Sequence, residues 1–350
     1  MIGFTASSPT VGRCDDRTRR ARLATALVLA AVAIVALGLA TGAEGLSWRL
    51  LVADAGGSQA ALIVGQIRAP RTVGALLVGA LLGLGGAVAQ GLFRNPLADP
   101  YLLGSAAGAA LAVVTVLAAS TLAGHAIGLA TAAWLERLGL VTAAFGGAIG
   151  GVSLTLLLAR GATQTTRLLL AGVVVAVLLG AIGDLITLVT PDALRGKQAF
   201  LLGSTAFLGW SAVALLAAGL TAALPLALRQ ARALDALTLG EDSAASLGLS
   251  LPRLRLALVL VLAFATGLAV SQAGLVAFVG LVAPHLVRRH APGPHRWLLL
   301  ASAGTGAVLL AAADVAARAV IAPQELPVGV LTAVLGGGFL LVLLHRRGVA

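Results

Sequence analysis

Residues 254–289 read LRLALVLVLAFATGLAVSQAGLVAFVGLVAPHLVRR. At 1.5 Å per residue this run of about 36 residues would make some 54 Å of helix. A bilayer's hydrocarbon core is only about 30 Å thick, and about 20 apolar residues cross it. One helix cannot hold the run, so the chain must break, and Ser271, Gln272 and Gly274 are the natural place. The stretch therefore counts as two spans, 254–272 and 275–289. The same measure applied outward gives eight more, 23–43, 71–91, 101–121, 141–159, 168–190, 211–228, 297–317 and 327–344, so the reading is an all-α membrane protein with about ten transmembrane helices.

The composition excludes the alternatives. Of 350 residues, 59% are hydrophobic, 44 more are Gly and only 11% are charged; an ordinary soluble domain is about 25% charged. A soluble globule has no surface on which to show so much apolar sequence. Soluble enzymes, disordered chains and nucleic-acid-binding domains are thereby ruled out. The single cysteine, Cys14, allows no intrachain disulfide, and the five His show no close ligand spacing. No catalytic residue, resident cofactor or metal site is expected in this chain. The first span could be mistaken for a signal peptide, since Arg13, Arg17, Arg19, Arg20 and Arg22 precede it and Thr41-Gly42-Ala43 offers small residues for cleavage. Its apolar run exceeds the usual 7–15 residues or so of such a peptide, which favours a retained span. Residues 1–22 then form a polar cytoplasmic tail and 23–347 the transmembrane domain.

The net charge of +11 is mostly topology. With the N-terminus inside and ten alternating spans, 17 of the 24 Lys and Arg fall on the cytoplasmic side. Arg49, Arg68, Arg71, Arg137, Arg195, Lys197 and Arg318 are left outside. By the positive-inside rule this places both termini in the cytoplasm. Small residues recur along the spans, notably Gly79, Gly83 and Gly86, then Gly146, Gly147, Gly150 and Gly151. They permit the close backbone approach that drives helix association in lipid. Gly83-Leu84 before Gln90, and Gly267-Leu268 before Gln272, form a short repeat five spans apart, hence inverted in direction.

Few polar groups lie within the spans. Asp314 and Arg318 are four apart on one helix face and are expected to pair. Asp184 stands within span five, either lining a path or satisfied by a hydrogen bond. No chain of acids and no Gly-rich phosphate loop with Lys is present. The longest polar stretch, residues 229–250, reads as two short helices parted by Gly240. Glu241 and Asp242 favour the start of the second through its dipole, and Gly248 suits its C-terminal cap. Leu247 and Leu249 leave apolar groups next to the cytosol, as a lid over the chain's own helix ends or as a docking knob. Outside, Arg68 and Arg71 flank Pro70, placed for lipid headgroups or for acidic groups of a partner. Asn95-Pro96 and Asp99-Pro100 break the helix at the inner end of span two and read as a turn.

Five segments carry a family resemblance: residues 67–72 (IRAPRT), 90–104 (QGLFRNPLADPYLLG), 239–248 (LGEDSAASLG), 274–288 (GLVAFVGLVAPHLVR) and 325–329 (ELPVG). The series resembles the FecCD-type permeases of bacterial ABC importers for ferric siderophores, haem and vitamin B12, over about residues 22–347. The resemblance implies the type II ABC importer permease fold and a bacterial cytoplasmic (inner) membrane location. It also implies a second permease chain, identical or a paralogue, a cytoplasmic ATPase dimer that binds ATP and Mg, and an extracytoplasmic substrate-binding protein. It assigns residues 233–249 as the ATPase-coupling helices, with Leu239, Gly240, Glu241, Asp242, Ala245, Leu247 and Gly248. Arg68, Arg71 and Arg318 match positions that dock the binding protein, and Gly161, Thr163 and Thr165 match a cytoplasmic gate. The expected cargo is a ferric siderophore, with haem or vitamin B12 as the alternative. A secondary transporter would need acids along its path, and an intramembrane enzyme a nucleophile and base at membrane depth; the sequence offers neither.

Overall fold

The structure, a computed structural model, describes residues 10–42, 45–46, 61–122, 129–162 and 164–347. Helix α1 spans Thr10–Ala40, so the latter part of the polar tail is already helical. A minimal antiparallel pair, β1 Thr41–Gly42 and β2 Gly45–Leu46, follows it. A π-helical turn, Ile63–Arg68, then runs unbroken into α2, Ala69–Phe93. Pro70 explains the wider turn, because it donates no N–H and its ring crowds the carbonyl one turn earlier.

The remaining helices are α3 Ser105–Leu122, α4 Leu129–Leu158, α5 Thr165–Val189, α6 Pro191–Leu202, α7 Trp210–Arg229, α8 Ala231–Leu237 and α9 Glu241–Ser246. After them come α10 Leu251–Ala273, α11 Val279–His290, α12 His295–Ala319 and α13 Val328–Arg347. Among the described residues seven helices are long and apolar enough to cross a membrane, and α3 and α13 add shorter apolar stretches. Helices α2, α10 and α12 form the centre, with 83%, 78% and 61% of their most apolar windows buried; α1 and α5 lie outermost, at 11% and 22%.

Glycines set the closest approaches. A Cβ on Gly79 would fall 2.2 Å from the Gly306 carbonyl, and one on Gly306 would fall 2.3 Å from that of Gly79. Helices α2 and α12 thus touch backbone to backbone, and Gly108 on Gly147 does the same for α3 and α4. Gly146 and Gly150, expected among the packing glycines, face open space. They lie one residue round the helix from Gly147 and Gly151, which is about 100° off the contact face.

The apolar run at 254–289 breaks where expected. Helix α10 ends at Ala273 and Gly274 takes φ +66°. The break is held by the end of α6: the Leu275 N–H donates to the Phe200 carbonyl at 2.9 Å, and the Ser204 N–H to that of Ala273 at 2.8 Å. The second half of the run is not a full helical span. Helix α11 has only 12 residues, with Pro284 inside it, and reaches about 18 Å. The non-helical residues up to Phe278, itself at φ +66°, use up the rest. Span three likewise starts late, because residues up to Gly104 belong to the turn before α3. Helix α6 was missed by hydropathy, since Asp192, Arg195, Lys197 and Gln198 make it look like a loop; Pro191 starts it at a position where no N–H is needed.

Candidate functional site

Helices α8 and α9 form a knob beside the turn after α2. Ala231, Leu234 and Leu237 of α8 and Ala244 of α9 are buried and seat it. Gly240 at φ +108° makes the corner, a conformation that a side chain would strain. Glu241 and Asp242 occupy the first turn of α9. Gly248, at φ +83°, caps the far end: its N–H reaches the Ala245 carbonyl at 2.9 Å, and the Leu249 N–H reaches that of Ala244 at 3.2 Å. Leu249 folds back toward the core, whereas Leu239 and Leu247 stand 69% and 66% exposed. Asp242, Ala245 and Gly248 share that exposed surface.

Two ion pairs and an Asp–His hydrogen bond anchor the knob, none of them legible in the sequence. Glu241 Oε1 lies 3.1 Å from Arg94 Nη2, in the turn after α2, and Oε2 lies 2.7 Å from Arg255 Nη2 of α10. Asp235 Oδ1 accepts the His295 N–H at 2.9 Å and pairs with its Nδ1 at 2.7 Å, at the start of α12. The knob is therefore tied to the ends of all three central helices.

The inner turn after α2 is built by its own side chains. Asn95 Oδ1 accepts the Leu97 N–H at 2.9 Å, and Asp99 Oδ1 accepts that of Tyr101 at 2.8 Å. These turns, with Pro96 and Pro100, stop α2 and launch α3. Burial pushes the Asp99 carboxyl up to about 6, partly offset by the Tyr101 N–H. The Tyr101 hydroxyl donates to the Val276 carbonyl at 3.1 Å, which ties the turn to the break before α11. Between α4 and α5, Arg160 and Gly161 are left-handed, and the Gly161 N–H reaches the Leu156 carbonyl at 2.7 Å. Thr165 is the first residue of α5; Thr163 lies outside the described residues.

Arg68, Arg71 and Arg318, which the resemblance matches to docking positions, are largely buried in the single chain. Arg68 and Arg71 are each 8% exposed and Arg318 1%. The last carbonyls of a helix have no partner within it, and here guanidinium groups supply those of α1. Arg68 Nη1 donates to Leu39 and Ala40 at 3.0 and 3.3 Å; Arg318 Nη1 donates to Gly38 and Thr41 at 3.0 and 3.1 Å. Both charges also suit the negative end of the α1 dipole. The expected Asp314–Arg318 pair forms at 2.5 Å. Asp314 is shared further, accepting Arg71 Nε at 3.0 Å and the Thr205 hydroxyl. Arg71 reaches on to Glu325 at 2.9 Å. Only Glu325, about a third exposed, brings this network toward the surface. The guanidiniums thus have inward partners, of which only the Asp314–Arg318 pair was expected from spacing.

Asp184 pairs with Lys197 of α6, on the outer half of α5. No group of three or more His, Cys, Asp or Glu able to hold a metal ion occurs among the described residues.

A profile of the FecCD transport family matches residues 27–346. The hemin transport system permease protein HmuU of Yersinia pestis is 37% identical over 335 residues, covering 93% of this chain and 96% of that protein. The Fe(3+) dicitrate transport system permease protein FecD of Escherichia coli (strain K12) is 36% identical over 332 residues, covering 91% and 97%. Among solved structures, a metal-chelate type ABC transporter in an inward-facing conformation superposes with a TM-score of 0.80 at 26% identity, over 92% of this chain and 98% of that one.

Proposed function

The chain belongs to the FecCD transport family and is a multi-pass membrane permease of a bacterial ABC importer of iron chelates, haem or vitamin B12, not an enzyme; from that premise we propose that its cargo is a ferric siderophore. The observation that carries the mechanism is the knob of α8 and α9. It offers exposed Leu239 and Leu247 to a soluble partner while ion pairs fasten it to α2 and α10 and an Asp235–His295 contact fastens it to α12. A cytoplasmic ATPase dimer that grips Leu239, Gly240, Glu241, Asp242, Ala245, Leu247 and Gly248 would move the central helices as it binds and hydrolyses MgATP. The turn at Gly161 to Thr165 is the element that gates the inner mouth. A second permease chain completes the path, and an external binding protein delivers cargo. Glu325, the exposed end of the arginine network, is the group nearest to hand for that docking; Arg68, Arg71 and Arg318 then hold the outer face in shape.

Ten crossings with both termini inside fit the helix order, with α11 and the extended residues before it making the eighth. Arg288, Arg289 and His290 then end α11 on the cytoplasmic side. The haem alternative draws on the likeness to the hemin permease. The deciding experiment is ATP-dependent uptake by cells whose other chelate permeases are deleted, comparing a 55Fe-labelled ferric hydroxamate, 55Fe dicitrate, hemin and cobalamin. Selective ferric siderophore uptake supports the proposal, and selective hemin or cobalamin uptake replaces it.

A further inference from the structure

Asp184 is a charged residue on a bare helix face. Its side chain is 76% exposed, five residues before the end of α5, and it pairs with Lys197, whose own side chain is 12% exposed. The pair borders a cleft of about 300 Å³, walled by Ala107 and Ala110 of α3, Gly180 and Gly183 of α5, and Leu201 of α6. No other charged side chain lines it.

The two outermost helices differ here. The exposed face of α1 carries Val28, Leu29, Val32 and Leu37, which suits lipid. The exposed face of α5 carries Leu170, Val173, Val177 and Leu188, but also this carboxylate. Charged groups within spans are costly against hydrocarbon and turn toward the bundle interior or a water-filled cavity. A carboxylate this exposed in the single chain, beside an ammonium that is 12% exposed, suits a water-filled path better than lipid. Lys197 has three N–H donors, and Asp184 uses one of them.

We infer that the Lys197 ammonium receives a carboxylate arm of an anionic iron chelate entering from outside, with Asp184 as the resident counter-ion that gives way. The exchange swaps one carboxylate for another on the ammonium, and the displaced Asp184, 76% exposed, is left to solvent. The cleft's volume admits an arm and not a whole chelate, and its Ala and Gly walls let the arm approach the ammonium. The cargo half of this inference rests on the importer reading above; the water-facing half does not.

The test uses the full chain. Cys14, the only cysteine, is replaced by Ser, and Asp184→Cys is introduced. Spheroplasts are treated with membrane-impermeant methanethiosulfonates, one sulfonated and one trimethylammonium. Both should label Cys at 184, and the anionic reagent should be favoured by about fivefold or more by the neighbouring cation. Adding Lys197→Gln should remove the preference. Absence of labelling, or a preference indifferent to Lys197→Gln, overturns the inference without touching the importer reading. Uptake then tests the cargo. Asp184→Asn should lower, and Lys197→Gln raise, the KM for 55Fe dicitrate, with a neutral ferric trihydroxamate little affected. An equal loss in both variants and for both chelates reduces the pair to a structural bridge. Failure of the wild-type chain to import any iron chelate sinks the proposed cargo, while the labelling result still decides which way Asp184 faces.

Discussion

Asp314→Ala removes the one carboxylate that Arg71, Arg318 and Thr205 share at a site with no exposure. Arg71 keeps Glu325 at 2.9 Å. Arg318 keeps the carbonyls of Gly38, Thr41 and position 314 at 3.0, 3.1 and 3.3 Å and the Thr72 hydroxyl at 3.4 Å, which are dipoles and not charges. The loss therefore falls on a cation that is 1% exposed. Breaking a buried pair from one side costs about 3–5 kcal/mol, because the other charge remains without compensation. Equilibrium unfolding of the purified chain in mixed micelles, titrated with SDS and followed by helix content, should show a destabilisation of that size. The double variant Asp314→Ala with Arg318→Met should recover about 1–3 kcal/mol of it, since the orphaned charge is gone. Asp314→Ala within about 0.5 kcal/mol of wild type, or strict additivity in the cycle, would refute the reasoning. Arg318 would then have to reach water, and its assignment to docking would return.

Leu247→Asp changes a side chain that is 66% exposed, so stability should stay within about 0.5 kcal/mol. Co-purification with the cognate ATPase should nevertheless be lost, and retained capture would remove Leu247 from the coupling surface. Gly83→Val places a Cβ 2.2 Å from the Ser302 carbonyl, whereas Gly150→Ala meets nothing within 4 Å. The first should destabilise by about 3 kcal/mol or more and the second hardly at all, measured by the same SDS titration. For Asp99 the folded carboxyl titrates at about 6 against an ordinary value of 3.8. Burial favours its neutral form, so this group's contribution is full below the ordinary value, is lost as pH rises through about 6, and is level above that. Asp99→Asn keeps an acceptor for the Tyr101 N–H and should flatten that slope in a pH series of thermal unfolding; an unchanged slope would assign it to other groups.

The knob was the most legible element. Gly240, Glu241, Asp242 and Gly248 dictate a corner, a helix start and a cap through local backbone physics, and each stands in that role. The break at Gly274 was legible for a similar reason, because a long apolar run has too few ways to stop. The second half of that run was misread, since hydropathy counts apolar residues whether they are helical or extended. Helix α6 was missed from the opposite side: its polar residues hid a helix that packs against α3 and the break before α11. The glycine signal was half right. Spacing identifies a stripe of small residues, but which side of the stripe meets a neighbour depends on where that neighbour lies.

Membrane class, the chain break, the charge asymmetry and the knob follow from sequence alone, because each rests on groups within a few turns of one another. The fates of Arg68, Arg71 and Arg318 required the tertiary structure. Sequence marks them as cations on the outer side, where the orientation rule does not explain them. Only the fold brings Arg71 to an acid 243 positions away and Arg318 to carbonyls some 280 positions away. It thereby buries three apparent surface charges, two of them closing the end of α1 and Arg71 joining Asp314 to Glu325. The fold likewise gave Asp184 its partner on a helix that hydropathy did not register. A charge's meaning in a membrane protein depends on what faces it, and a linear sequence does not carry that information.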